Sequence, residues 1–561
     1  MAKTVKQLLQ EYVVGASGIS TAEIIIPPDL KLGDYATNVA FILAKQEGKK
    51  PADVAGELKE KLLGTDLAKM ADVEVAPTGF INFFLKTEFL DEEIKKDKKI
   101  DLGQGKKVIV EYSSPNIAKP IHIGHLRSTI IGDALANVYE KLGYEVVRWN
   151  FIGDWGTQFG KLIAADKKWH GNFSDTLKDP IQEMLRLYVK FHEELKNNPE
   201  LEKEGQKEFK KLETGDEENL IIWKSFRSAS LAAFRIIFNK LGIDSEKFVI
   251  KGESDYEPRL KPLIEELKNK GLAIESEGAL IVELENMPPA LLRKTDGATL
   301  YMTRDIASLE DRIQNYNPAK ILYVVANQQA LHFEQLFAVA KKLGWDSTEL
   351  SHVKFGMVLG EDGKKLATRE GKVVALQEVI DRITSLALET VKQKSADLSE
   401  EDENKIAHAV AISALKYNDL KQHPHTDIQF DWKAMLDLSG NSGPYIQYTY
   451  ARLANILSKA GNGPWETSAS ASVDLEGKLI ERKLVNYLDV LIECTTPNAL
   501  NGLALYLYDL SALANRFYEN VRVLDEPDTE KKNARLNLIK VVADNLKDGL
   551  GLLGIQTLER I

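Results

Sequence analysis

Residues 107–112 form a nearly continuous apolar run, and Leu126, Ile130, Ala134, Leu135, Val138 and Leu142 then recur at helical spacing on one stripe that Gly143 ends. Residues 144–151 are again strand-like, so the pattern predicts a strand, a crossover helix and a second strand. It returns downstream: 321–326 predict a strand, 331–343 a helix with Phe333, Leu336, Phe337 and Leu343 in phase, and 352–359 another apolar strand. Thr299, Leu300 and Tyr301 read as a strand end running into a helix over 305–316. Between the halves, 165–254 carry a mostly charged helical pattern, as at 182–195 and 229–241. In front, 1–95 mix a first helix, strands near 23–26 and 73–75 and a helix over 51–63, joined to the rest by the charged run 91–106. Behind, a helical connection over 376–434 leads to a helical region over 435–561. The predicted fold class is α/β, a core in two halves, with a small α+β N-terminal domain and an all-α C-terminal domain.

The junction between the first strand and its helix carries chemistry. Residues 114–125 read Ser-Pro-Asn-Ile-Ala-Lys-Pro-Ile-His-Ile-Gly-His, which brings His122 and His125 to the start of the helix around Gly124. Free N–H groups and the positive end of the helix dipole point there, so the place suits a nucleotide phosphate. An imidazole could donate to a phosphate oxygen whose charge grows during attack at the α-phosphorus, and Gly124 leaves room against the backbone. Two histidines beside a turn also suit a plain helix cap. A second cationic stretch, Lys-Lys-Leu-Ala-Thr-Arg-Glu-Gly at 364–371, follows the strand at 352–359 and could grip outgoing pyrophosphate; by itself it is equally a solvated loop. No G-x-x-x-x-G-K-[ST] loop occurs, which disfavours the usual kinase and NTPase readings.

Together these stretches resemble the HIGH and KMSKS signatures of class I aminoacyl-tRNA synthetases. Residues 122–125 spell the first intact; in the second, Lys365 matches the first lysine, but Thr368 stands where the second belongs. The arginyl family characteristically lacks that second lysine, and a lysine just before the first signature takes its role, the place Lys119 occupies. Segments 33–38, 79–82, 111–127, 153–160, 301–305, 327–329, 365–371 and 442–452 are similar to arginyl-tRNA synthetases in that family's order.

The resemblance implies a Rossmann-type class I catalytic domain over 105–164 and 255–375, and a helical insertion at 165–254 on the acceptor-stem side. It further implies an N-terminal domain over 1–95 that touches the tRNA elbow through the D-loop, and an α-helical anticodon-binding domain over 435–561. The implied activity is ATP-dependent attachment of L-arginine to tRNA(Arg) through arginyl-adenylate, with Mg2+ carried on ATP and no zinc. His122, His125, Lys119 and Lys365 would be catalytic, and Gly124, Thr368 and Arg369 would join His122, His125 and Lys365 at ATP. A guanidinium offers a fixed fork of donors, so its pocket needs carboxylates that accept two parallel hydrogen bonds; Glu111 and Asp305 are the candidates. The resemblance assigns Tyr301 and Asp305 to the guanidinium, and Ser114, Asn116 and Gln329 to the α-amino end. Glu111 matches a pocket residue whose end is left open, and both carboxylates also suit plain structural positions at a strand edge and a helix start. For tRNA, Phe80 and Asn82 match stacking and base-contact positions, although Phe80 equally suits a core. Tyr445 and Arg452 open the anticodon-type region, where tyrosines alternate with arginines.

Composition narrows the alternatives. At 561 residues the chain exceeds a single core. Its lone cysteine, Cys494, excludes a disulfide framework and a cysteine-based zinc site. The net charge of −11 argues against a non-specific nucleic-acid binder while leaving room for a local basic face. No apolar run is long enough to span a membrane and the start contains Glu11, so a cytoplasmic protein with no membrane partner is expected, as a monomer. Two other classes stay open: a binding protein that keeps the fold without turnover, against which His122, His125 and Lys365 speak, and a tRNA-independent ligase, against which the C-terminal region speaks.

Overall fold

The computed structural model describes the chain apart from residues 1–2, 28, 97–99, 170–178, 296, 298, 361–362, 365–373, 395–397, 462, 466, 468–473, 497–498 and 561. Four strands near the N-terminus, β1 (Ile24–Ile25), β2 (Tyr35–Thr37), β3 (Ala71–Val75) and β4 (Ile81–Leu85), pair antiparallel in the order β1-β2-β4-β3. β3 alternates buried Ala71 and Val73 with exposed Asp72 and Glu74, so one face is apolar. That face forms one core with Leu9, Val54 and Leu58 from the helices Val5–Ser17 and Pro51–Leu63.

The apolar runs of the two halves meet in a single five-stranded parallel sheet. Its strands are β5 (Lys107–Glu111), β6 (Glu145–Ile152), β7 (Phe248–Gly252), β11 (Lys320–Ala326) and β12 (Glu349–Phe355), in the order β12-β11-β5-β6-β7. Between β7 and β11, the strands β8 (Ala273–Ser276), β9 (Ala279–Val282) and β10 (Ala290–Arg293) form a small antiparallel sheet of their own. Val108, Ile109 and Val110 expose no surface, because helices cover both faces of β5; that is why the run reads as continuous rather than alternating. From β5 the chain builds outward through β6 and β7, then returns to build β11 and β12 on the other side. The order therefore reverses between β5 and β11, and the carboxyl ends of these strands open a crevice, the place where such sheets take ligands.

The helix Ile123–Lys141 joins β5 to β6 and is buried on nearly every side, wider than the stripe the pattern predicts. Sheet strands lie under one face, and helices Glu400–Leu420 and Thr529–Leu552 lie against the rest. Gly143, at φ +85°, turns the chain out of it into β6. Several expected bounds move. The strand predicted at 352–359 is β12, ending at Phe355, while Val358–Leu359 leave the sheet to pair parallel with Ile428–Gln429. The helix predicted from 305 begins at Tyr301, so Tyr301 and Asp305 lie one turn apart on one helix rather than across a junction. Within the stretch expected as a helical insertion, Pro180–Leu195, Glu200–Glu213 and Glu217–Lys240 are helical, yet Phe248–Gly252 is a strand of the central sheet. Charged flanks hide it, since an edge strand is half-buried. The C-terminal region is helical throughout its described secondary structure, from Gly443–Ala460 to Thr529–Leu552. Cys494 is buried there, and burial pushes its thiol up to about 12, so it is inert.

Candidate active site

The loop between β5 and the helix Ile123–Lys141 is held from several sides. Ser113 (φ +51°) and Ala118 (φ +62°) take left-handed conformations, costly for residues with a Cβ, and each is anchored. Ser113 N donates to Ser128 Oγ (3.0 Å), which in turn donates to the carbonyl of Val324 on β11 (2.7 Å). Ala118 N donates to Ser230 Oγ (2.9 Å) on the helix Glu217–Lys240. Backbone bonds Ile117 N to Gly153 O and Gly153 N to Pro115 O, both 3.1 Å, tie the middle to the end of β6. A Cβ on Gly153 would collide with Asn116 Oδ1, so glycine there makes room for the Asn116 side chain. Asn116 is exposed, and Ser114 Oγ is buried with no hydrogen-bond partner among the described residues.

His122 is the N-cap of the helix: its Nδ1 accepts from Gly124 N (3.1 Å), and His125 Nδ1 accepts from His122 N (3.2 Å). The rings lie 3.9 Å apart, tilted by 42°. An Nδ1 that accepts carries no proton, so each neutral ring holds its hydrogen on Nε2. Burial, and next the neighbouring His122, push His125 down to about 3, so it is a neutral donor at physiological pH. Both caps thus use the Nδ1 atoms. A Cβ on Gly124 would come within 2.9 Å of the His122 ring, so the room this glycine leaves is first for the imidazole. Lys119 is half-buried with its ammonium 5.1 Å from the centre of the Tyr188 ring on the helix Pro180–Leu195.

Lys365, Thr368 and Arg369 lie outside the described residues. The chain just beyond them returns to the histidine motif: Ile123 N donates to Val374 O and Leu376 N to Ile121 O, both 3.0 Å, and His122 and Ala375 form an antiparallel bridge.

Across the crevice, Glu111 ends β5 and Asp305 sits on the helix Tyr301–Tyr316. Glu111 is buried, and its Oε2 accepts from Arg312 Nη2 of the same helix as Asp305. Burial pushes the Glu111 carboxyl up, and the Arg312 charge opposes that rise. Arg312, 1% exposed, lies 4.7 Å from the Trp149 ring centre and 5.2 Å from that of Tyr323. One oxygen of the carboxylate expected to meet a substrate fork is thus engaged by the protein's own guanidinium. Asp305 Oδ2 is 2.5 Å from His332 Nε2. Tyr301 is 67% exposed at the helix start, and Gln329 is exposed at the end of the 3-10 turn Asn327–Gln329. Beneath, Asp154 accepts from Arg227 Nε (3.0 Å), Ser254 N and Ser254 Oγ (both 2.9 Å), and Trp155 packs edge-on against Phe209 and Trp223. Burial pushes Glu253 to about 7, against the nearby Arg304 charge and with help from Asp305 and Asp154. Sequence reasoning passes over Arg312, His332 and Glu253, which carry no motif; the one hint is a histidine in the first turn of a helix leaving the sheet.

The family model for the catalytic domain of class I tRNA synthetases specific for arginine matches residues 88–432, the model for the DALR anticodon-binding domain 446–561, and that for the arginyl-tRNA synthetase N-terminal domain 1–85. The chain belongs to the arginyl-tRNA synthetase family. It is 42% identical to arginine–tRNA ligase 1 of Bacillus cereus and 40% to arginine–tRNA ligase of Streptococcus suis, in each case over 95% of both chains. Among solved structures it resembles arginyl-tRNA synthetase from Plasmodium falciparum, with 29% identity and a TM-score of 0.85 over 99% of this chain and 98% of that one. The Thermus thermophilus arginyl-tRNA synthetase aligns with 25% identity and a TM-score of 0.85 over 99% of this chain and all of that one. The fold class is accordingly a class I synthetase catalytic domain with an N-terminal domain and a helical C-terminal domain.

The family's two outer modules hold the remaining candidates. Phe80 is half-buried with its ring 5.2 Å from Phe41, and Asn82 is buried in β4, where its backbone pairs with Ala36 and Glu74. Tyr445 packs on Tyr508 at 5.6 Å. The Arg452 guanidinium lies 4.8 Å from the ring centres of both Tyr448 and Tyr518 and donates to Asn515 Oδ1 (2.8 Å). Its aromatic partners are thus in its own domain.

Proposed function

We propose that this protein attaches L-arginine to tRNA(Arg) in two steps. The arginine carboxylate attacks the α-phosphorus of ATP, forming arginyl-adenylate as pyrophosphate leaves; a ribose hydroxyl at the tRNA end then takes the arginyl group and AMP leaves. No protein nucleophile is needed, so catalysis is positioning and charge stabilisation. The Nε2–H groups of His122 and His125 serve the phosphate oxygens as the transition state gathers charge. Lys119 and Lys365 supply cations, with Lys119 leaving Tyr188 to do so, and Thr368 and Arg369 complete the ATP side. Mg2+ travels on the triphosphate and neutralises part of its charge; among the described residues no cluster of three or more His, Cys, Asp or Glu converges as a metal cage.

Asp305 and Tyr301 take the guanidinium, Glu111 lines the same end, and Ser114, Asn116 and Gln329 take the α-amino group. A pocket built for a buried fork of donors rejects substrates without one by about 10⁴ to 10⁵, so no editing site is required. Phe80 and Asn82 serve the tRNA elbow, and Tyr445 and Arg452 the anticodon end. We place the reaction in the cytoplasm, where charged tRNA is used; among the described residues no helix is long and apolar enough to cross a membrane. One chain supplies both halves of the crevice, in keeping with a monomer.

The observation that carries this reading is the meeting at one switch point of a histidine-capped helix, the strand bridge from 374–376 and the carboxylates Glu111 and Asp305. Arginine-dependent ATP–pyrophosphate exchange, run with and without total tRNA, tests it. Exchange with arginine but not with lysine or citrulline is expected in the presence of tRNA; none under either condition rejects the reading.

A further inference from the structure

The two carboxylates of the arginine end are backed by different cations. Glu111 faces Arg312, whose charge is permanent, whereas Asp305 faces His332, an imidazole in the first turn of the helix Ala330–Lys342. The His332–Asp305 contact is short, 2.5 Å, and both side chains keep about a quarter of their surface at the crevice, 24% and 22%. His332 takes Oδ2, and Oδ1 of Asp305 accepts no hydrogen bond among the described residues. We propose that His332 is a positioning residue for arginine, holding Asp305 through Oδ2 so that Oδ1 faces the substrate, and gating the pocket's net charge by its own protonation. The inference rests on the proposed arginine ligase function and extends it to a residue outside the signature motifs.

The hydrogen bond requires the proton on Nε2 in either charge state, so Asp305 stays oriented throughout the pH range. What changes is the charge. As an imidazolium, His332 neutralises Asp305 and repels a guanidinium; as a neutral ring it leaves the carboxylate's full charge to the substrate. Burial favours the neutral ring, but the hydrogen bond His332 donates to Asp305 and the charges of Asp305 and Glu111 outweigh it, so His332 titrates above its ordinary 6.5. Arginine binding therefore expels a proton from His332, and the arginine KM falls as pH rises through that value.

On the helix Tyr301–Tyr316, Arg304 pairs with Glu257 (3.2 Å) and Arg312 with Glu111. On β12, Lys354 pairs with Glu334 of the His332 helix (3.4 Å), and burial holds His352 down near 4, neutral in the window of interest. On β10, Arg293 pairs with Glu275 (2.8 Å), and on β11 burial pushes Tyr323 far up. Glu253, pushed up to about 7, acts on Asp305 from the helix Glu253–Asn269. It needs its own control.

The test is the arginine KM in ATP–pyrophosphate exchange, with tRNA present, from about pH 6 to pH 8.5. His332→Leu, which removes the hydrogen bond, is expected to raise the arginine KM about tenfold, leave the ATP KM alone and change kcat less than about threefold. His332→Gln carries an amide donor near the Nε2 position without a titrating charge. It is expected to keep the arginine KM within about threefold at pH 8 and to lose most of its pH dependence, while Glu253→Gln retains the His332 share of that dependence. The unchanged ATP KM guards against a merely misfolded variant, and His332→Gln keeps the test alive if His332→Leu does not fold. Arginine-dependent exchange whose KM ignores residue 332, or whose full pH dependence survives in His332→Gln, overturns the inference and leaves the function standing. Absence of arginine-dependent exchange in the unaltered protein overturns both.

Discussion

Asp305 Oδ2 meets His332, and on the proposed assignment the same carboxylate takes the guanidinium, so removing it would take away that anionic partner without touching the histidine cap. Asp305→Ala is expected to lower kcat/KM for arginine by about 10² to 10³, the scale of losing one partner of a desolvated charge pair, with ATP binding unchanged. Exchange kinetics and ATP titration check both halves; normal arginine kinetics would remove Asp305 from the pocket. At this scale the site was partly legible. His122, His125 and Asp305 carry signals in residue type and spacing, because cap and pocket chemistry at a helix start are local. Arg312 was not legible, since its partner Glu111 is 201 positions away and nothing local distinguishes a buried arginine from a solvated one.

Elements are placed by packing that tolerates little change. Gly132 lies in the helix Ile123–Lys141 where a Cβ would collide with the Tyr112 side chain at the end of β5, so helix and sheet approach as closely as they do only because this residue is glycine. Gly132→Ala is expected to destabilise the protein by about 1–3 kcal/mol, as over-packing in a tight core does, despite alanine's better helix propensity. Urea unfolding monitored by tryptophan fluorescence measures it, and a stabilised variant would show that the helix can shift. The pattern located this helix and the strands around it. It missed β7, whose five residues are half-buried except for Gly252, because hydrophobic periodicity is weak at a sheet edge.

Over the whole molecule, polar contacts, several of them buried, fasten segments that are distant in sequence. Arg127 of the histidine-capped helix pairs with Asp419 292 positions later, each 1% exposed, and also donates to the carbonyl of Thr426 (2.7 Å). Lys416 reaches the carbonyl of Gly554 near the C-terminal end (2.6 Å). The N-terminal domain docks on the C-terminal helices through Lys6–Glu493 (2.7 Å), Asp34–Arg482 (3.2 Å) and Tyr35–Asn486 (2.5 Å). In the same interface Glu481 is buried, and burial, with Asp91 next, pushes it up to about 8. The folded protein holds a proton there that the unfolded chain loses near the ordinary 4.5, so the contribution is complete below 4.5 and is lost as pH rises through about 8. Thermal melts should therefore fall between about pH 4.5 and pH 8 and level off above that, and Glu481→Gln should flatten the fall; an equal decline in the variant would place the titrating group elsewhere.

The sequence by itself determined the alternation of strands and helices, the split of the sheet into two halves and the histidines at the helix start, because periodicity and capping depend on neighbours within a turn or two. Tertiary structure decided the order of the strands, the bridge from 374–376 to 121–123 and the partners of Glu111 and Asp305. A pattern of apolar positions says which face of an element is covered but not by what, and the partner of a buried charge is chosen only when distant segments come together.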